Sequence, residues 1–400
     1  MEHEGHGKEI GRISEEMKRY LLDDMLENWE RRTEDKEFGG YLTDFSRDWF
    51  LRSSDKGAWA QGRQVFTFSL VYDQAEKAEK WHHLAKTGLE FCLNRMYAGN
   101  GRFNYLTDRQ GNRKEGPISV FSDMFIILGL AKYISVFHEN EYLEKLRELY
   151  GTLEKNVFDP DFRDIAPQKY EKGVYVHAVY MAFLNLALEV EKVLGKEATF
   201  KAIERTLKVI FTINYDSDSN LIYERRTATG FEATDPNARM VTVGHVYESL
   251  WFALEAAISR NDNDLIEKIK SIAEENNRIG RDSSGLSIYT ADPYNDGVRF
   301  DTWKYEIAFT PNDRVSWAYA EEMVLWAKLF ALTKEEKYWD RFSHLYAFCN
   351  NHFPDRQFGD WFHALDENCK VKYDFKGSTI KDAFHIPRAY IKILEALGSI

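Results

Sequence analysis

Two kinds of helix-forming stretch alternate along the whole chain, and that alternation restricts the fold more than any other feature. Apolar residues at helical spacing predict helices over 13–32, 59–76, 79–97, 119–138, 140–155, 173–194, 197–213, 243–260, 262–278, 314–333, 335–352 and 380–397. The stretches at 59–76, 119–138, 173–194, 243–260, 314–333 and 380–397 are apolar nearly all round, as in Met124–Ala131 (MFIILGLA). Helices of that kind are buried on every side. Their partners, such as Glu335–Arg341 (EEKYWDR), carry charges on one face. A buried helix followed by an amphipathic one, repeated about every 60 residues, predicts an inner and an outer ring. The expected fold is therefore all-α, an (α/α)6 barrel. Gly- and aromatic-bearing segments at Gly39–Thr43, Gly101–Tyr105, Leu221–Arg225 and Gly359–His363 predict short β-hairpins in the loops. The chain has 400 residues, more than the ~250–300 at which one core usually stops growing. No Pro/Gly/Ser-rich linker divides it, and a ring of repeats accommodates the length, so residues 1–400 are expected to form a single domain.

Composition narrows the partners. A net charge of -12 argues against nucleic acid, whose readers carry a basic stripe. The three cysteines Cys92, Cys349 and Cys369 are far apart, with no CxxC or zinc-ligand spacing, which points to free thiols in a reducing compartment. The polar start of the chain predicts no signal peptide. No run of about 18 apolar residues is expected to span a membrane, so the setting is read as cytoplasmic. Aromatics make up 15% of the chain. Most belong in the core, but flat rings also pack against the C–H faces of sugars.

The inner helices carry polar residues near their N-terminal ends where apolar ones would be cheaper: Arg63, His177, His245 with Glu248, Glu321, and Lys381 with His385. In a barrel these positions face the central cavity, and their recurrence is the first functional signal.

Several segments then become specific. Lys56–Phe66 (KGAWAQGRQVF), Val243–Leu254 (VGHVYESLWFAL), Phe353–Phe362 (FPDRQFGDWF) running on to Phe375–Arg388 (FKGSTIKDAFHIPR), and Gly39–Asp48 (GGYLTDFSRD) resemble, in the right order, segments of the N-acylglucosamine 2-epimerase and cellobiose 2-epimerase family. The resemblance implies an (α/α)6-barrel isomerase that works without metal or other cofactor on a small reducing sugar, and it carries over the family's tendency to form homodimers. The C-terminal block is closest to the N-acetylglucosamine type. Cellobiose epimerases usually carry Trp where this chain has Ile380. The chain departs from the family pattern at Ser316, Ala318, Tyr319, Val243 and Tyr180, and the resemblance places these changes in the substrate region, where they bear on the choice of sugar.

The chemistry follows from the carbon at issue. C2 of a reducing sugar is acidic only in the open-chain aldehyde, so such an enzyme opens the ring, removes the C2 proton, holds an enediolate and returns a proton. Two acid/base groups on opposite faces of C2 suffice, and histidine, with a pKa of about 6.5, suits both roles. The resemblance assigns His245 and His385 to that pair and His177 to a helper in ring opening. Arg63 is assigned to the O1/O2 edge, where a cation stabilises developing negative charge. Glu248 is expected to orient His245 or bind a hydroxyl, and Trp317, Glu321 and Lys381 to bind substrate. Arg388 has a structural and a functional reading side by side, and Glu322 competes with Glu321 if the helix register slips. The leading expectation is 2-epimerisation of N-acetyl-D-glucosamine and N-acetyl-D-mannosamine. The alternatives on one scaffold are mannose/glucose or cellobiose 2-epimerisation and mannose/fructose isomerisation. Rival mechanisms are a metal-dependent isomerase, which chelation would stop, and a glycoside hydrolase using a carboxylate pair, which would cleave an aryl glycoside. A non-catalytic sugar- or protein-binding member would bind sugar and turn over none.

Overall fold

A computed structural model describes residues 2–159, 161–166, 172–230, 239–293, 308–379 and 381–398. The six stretches that are apolar all round form helices α3 (Ala58–Gln74), α5 (Val120–Phe137), α7 (His177–Leu194), α9 (Val243–Arg260), α11 (Ser316–Thr333) and α13 (His385–Ala396). Each packs on the next, and α13 returns to α3, closing the inner ring. The outer ring is α4 (Glu79–Phe91), α6 (Leu143–Val157), α8 (Lys196–Lys208), α10 (Asn263–Ile279) and α12 (Glu336–His352), each packed on the inner helix that precedes it. The sixth outer position, against α13, is taken by α1 (Glu2–Tyr20), which continues through a π-helical turn, Leu21–Leu26, into α2 (Glu27–Thr33). The (α/α)6 barrel expected from the alternation is thus the fold.

Differences from the expected spans have local causes. Helix α1 reaches further toward the N-terminus because its polar start docks: the His6 ring lies 5.2 Å from that of Trp339 and its Nε2 is 2.8 Å from Glu336. α7 starts later than expected because Val174–Val176 first pairs antiparallel with Arg225–Thr227. α5 is, by length and composition, apolar enough to cross a membrane, contrary to expectation, but 83% of it is buried within the barrel. It carries Asp123 and Lys132.

The four expected hairpin segments all lie in short antiparallel pairs or bridges between the helix pairs. Two of them repeat one design. In each, an aspartate opens a turn and accepts a backbone hydrogen bond four residues on: Gly39 N to Asp35 O, and Gly359 N to Asp355 O, both 2.8 Å. Asp35 is held by Lys56 and Arg109, Asp355 by Lys376 and Arg47. These loops and strands cap the ends at which the inner helices begin, and so frame the cavity between them.

Candidate active site

Residues from the N-terminal halves of all six inner helices line one cavity of about 990 Å3, counted to its open mouth: Arg63 from α3, Phe121 and Phe125 from α5, Ala178 and Asn185 from α7, His245 and Glu248 from α9, Trp317 from α11, and His385 and Arg388 from α13. The alternation that builds the barrel therefore also gathers His245 and His385, which are 140 residues apart in sequence.

The indole of Trp317 packs beside both imidazoles, its ring centre 5.2 Å from that of His245 and 5.4 Å from that of His385. Gly244 makes room for it, since a Cβ at that position would lie 2.8 Å from Trp317 Cζ3 and 2.5 Å from Ala318 Cβ. This accounts physically for the glycine before His245.

Each histidine has its Nδ1 held by a carboxylate, leaving Nε2 for the cavity. His245 Nδ1 is 2.9 Å from Glu224 Oε2. Glu224 sits opposite the start of α7: the His177 backbone N–H donates to its carbonyl, and the Ala178 N–H to its Oε1 at 3.2 Å. A carboxylate at a helix N-terminus is a favourable placement. Burial would raise the Glu224 carboxyl, but the His245 charge and hydrogen bond outweigh it and bring it down to about 2. Burial likewise works against a charged His245, yet the Glu224 carboxylate and its hydrogen bond win, and His245 lies above its ordinary value. The pair is ionic, with an N–H at His245 Nε2.

His385 differs. Its Nδ1 is 2.7 Å from Glu321 Oε1. Glu321 also accepts from Arg388 Nη2 at 2.7 Å and, through Oε2, from Trp251 Nε1 at 2.8 Å. Arg388 and Trp251 can only donate, so both carboxylate oxygens act as acceptors and the proton of the imidazole belongs on Nδ1. Nε2 of His385 then carries a lone pair. Burial, with the charges of Arg63, Arg388 and His245 adding to it and Glu248 opposing, holds His385 well below its ordinary value. The two imidazoles are thus displaced in opposite directions from their ordinary value, the separation expected of an acid and a base.

The remaining expectations divide. Arg63 lines the cavity with its guanidinium 4.0 Å from the Phe125 ring centre and within 5.4 Å of those of Trp59 and Phe384. Glu248 lines the cavity too, but it is bonded to Arg388, so the partner that orients His245 is Glu224 rather than Glu248. Glu321 stands behind His385 and Arg388 as their support and is not among the lining residues. Glu322 points the other way, to Arg281, Ser287 and Trp326, which settles the register in favour of Glu321. The structure does not bring Lys381 to the cavity: its ammonium is taken up by Asp360, Trp361 O and Lys376 O at 3.1, 2.9 and 2.8 Å. Nor does it bring His177 there. That ring is fully buried behind the wall, 4.0 Å from Glu224, and burial takes it down to about 4. The substitutions at 180, 243, 318 and 319 also lie off the cavity lining. Tyr319 turns outward to Ser287 O and stacks on Phe348, and Tyr180 stacks on Tyr175. Ile380 lies outside the described residues. One oxygen or nitrogen from each of Glu248, Glu321 and His385 lies within 4.8 Å of the others, a spacing a metal ion would accept. Arg388 Nη2 already bonds both carboxylates there, so the cation of this cluster is a guanidinium.

An (α/α)6 barrel that gathers two carboxylate-held histidines in one cavity has groups suited to proton transfer. The family model for N-acylglucosamine 2-epimerase (GlcNAc 2-epimerase) matches residues 40–389. The N-acylglucosamine 2-epimerase of Rattus norvegicus is 24% identical over 392 residues, spanning 95% of this chain and 90% of that protein. The cellobiose 2-epimerase of Dictyoglomus turgidum is 22% identical over 378 residues, spanning 89% and 91%. The solved structure of cellobiose 2-epimerase from Bacillus thermoamylovorans B4167 superposes with a TM-score of 0.81 at 18% identity, covering 96% of this chain and 99% of that one. The chain belongs to the N-acylglucosamine 2-epimerase family.

Proposed function

We propose that the protein interconverts N-acetyl-D-glucosamine and N-acetyl-D-mannosamine by moving the proton at C2, with His385 as base and His245 as acid in the resting enzyme. The observation that carries this reading is that two imidazoles, each held at Nδ1 by a carboxylate, line one cavity beside Trp317. With the open-chain aldehyde in the cavity, Nε2 of His385 takes the C2 proton. The negative charge spreads onto O1, where the Arg63 guanidinium supplies the compensating field. His245 delivers its Nε2 proton to the other face of C2, and the ring recloses. The two carboxylates, Glu224 and Glu321, hold the rings in their orientations through Nδ1. The reverse reaction begins from the opposite states, so the proton must be redistributed through solvent between turnovers. The N-acetyl sugar is supported by the family match and the C-terminal block. A cytoplasmic setting is supported by the three free cysteines, of which Cys92 and Cys349 are buried.

The test is a panel of N-acetylmannosamine, mannose, glucose and cellobiose, with products separated by chromatography. The reading predicts conversion of N-acetylmannosamine to N-acetylglucosamine. His245→Ala and His385→Ala should each lower turnover by roughly 100- to 10,000-fold, with the folded circular dichroism spectrum kept. Conversion of a neutral sugar alone would move the substrate to mannose or cellobiose, and wild-type turnover by either variant would remove the two-base assignment.

A further inference from the structure

His363 plays no part in the scheme above. It comes from the Gly359–His363 hairpin and lines the cavity. Only 3% of its surface is exposed, and its Nε2 is buried with no hydrogen-bond partner. Such an atom is rare in a folded protein and calls for a partner that binds later. The backbone on either side is fixed: His363 N donates to Tyr373 O at 2.9 Å, and His363 O accepts from Ser316 N, at the first residue of α11, at 3.1 Å. Trp317 follows directly, so one strand pairing sets the position of His363 relative to the indole. The rings of Phe375 and Phe309 pack around the imidazole at 4.9 and 5.5 Å. This is a polar group with an unpaired ring nitrogen, held rigidly in an apolar stretch of the cavity wall.

We propose that His363 is a substrate-contacting residue and that its partner is a neutral hydroxyl of the sugar, an assignment that rests on the epimerase reading given above. Burial, with the Lys381 ammonium adding to it, takes the imidazole down to about 3, so it is neutral at every working pH. A neutral imidazole presents one N–H and one lone pair. A hydroxyl, which both donates and accepts, matches either tautomer. A carboxylate or phosphate offers lone pairs only and could meet the N–H of the imidazole but not its lone pair. His363 therefore selects among sugars by the hydroxyl it meets.

The experiment compares wild type, His363→Phe and His363→Gln on the best substrate of the panel and on its 4-deoxy and 6-deoxy analogues, following C2 deuterium uptake by NMR. In His363→Phe, KM should rise roughly tenfold or more while kcat stays within about threefold, and the amide of His363→Gln should recover part of the loss. One deoxy analogue should be penalised in the wild type and not further in His363→Phe, the non-additivity of two groups in contact. A KM within twofold of wild type in both variants, or equal penalties for both analogues in all three proteins, would overturn the assignment. Absence of C2 exchange by the wild type on every sugar would instead overturn the epimerase reading, and this proposal with it.

Discussion

At the scale of single residues, the account depends on two imidazoles set apart by different causes: the Glu224 carboxylate raises His245, while burial beside Arg63 and Arg388 lowers His385. His385 must be neutral and His245 charged for turnover to begin. Activity is therefore expected to fall on the acid side well below the ordinary histidine value of about 6.5, where His385 takes up a proton, and on the alkaline side above it, where His245 loses one. Glu224→Gln keeps the size of the side chain and removes its charge. The alkaline limb of kcat/KM should then move to lower pH by about 1–3 units, the usual effect of losing an opposite charge at this range. An unmoved limb in a folded variant would show that Glu224 does not govern His245. The sequence revealed the histidines but not this partner. Glu224 lies 21 residues before His245, in a hairpin with no helical period, and is placed by the pairing of Arg225–Thr227 with Val174–Val176 and by its own N–H donating to Met240 O. The reverse error befell Lys381. Four residues before His385 it looked like a site residue, but the loop ahead of α13 turns it inward to Asp360.

At the scale of elements, the inner ring was legible because a helix buried on all sides has no polar face to spare. The charges the inner helices do carry gather near one end or the other. Lys132, Lys192, Lys328 and Lys392 lie in the C-terminal halves of their helices, each paired with a carboxylate, Asp73, Glu189, Glu255 and Glu395 respectively. The spacing between rings was not legible, because it depends on three-dimensional contact. α3 and α5 approach so closely that a Cβ on Gly62 would lie 2.3 Å from the Phe125 carbonyl carbon and 2.4 Å from Ile126 N. Alanine is normally the better helix former by about 1 kcal/mol. Gly62→Ala should nevertheless destabilise the protein by about 1–3 kcal/mol or more, as overpacking does, in a denaturant titration. A gain in stability would mean that the two helices can part at no cost. The π-helical turns Cys92–Met96 and Val209–Asn214, which end two outer helices, were included in the expected helical spans but could not be told from α-helix by apolar period.

At the scale of the whole molecule, the contact of α13 with α3 closes the ring, so neither half of the chain retains a complete inner wall alone. Residues 1–400 should therefore unfold in one cooperative transition, and two resolved transitions would contradict a single domain. The pH dependence of that transition has a definite sign. Asp123 and Asp382, raised to about 7 mainly by burial, favour the folded state as pH falls from about 7 toward 4. His177 and His363, lowered by burial, oppose them over the same range. Below about pH 4 the balance ends. Glu224, Glu255 and Asp35 have folded values of about 2, and the stability they contribute above their unfolded values is lost as pH falls through that window. The melting temperature should be nearly level from pH 7 to 4 and fall steeply from pH 4 to 2. A steep loss already at pH 5–6 would show that the buried histidines dominate.

The central claim is that protons move at C2 between two different histidines, and one measurement tests it most directly. The wild-type protein is incubated with N-acetylmannosamine in D2O and the C2 signals of substrate and product are followed by NMR from the first turnovers. Two single-proton bases predict N-acetylglucosamine carrying deuterium at C2 while the remaining N-acetylmannosamine keeps its protium. N-acetylglucosamine that retains protium at C2 would contradict exchange through His385 and His245.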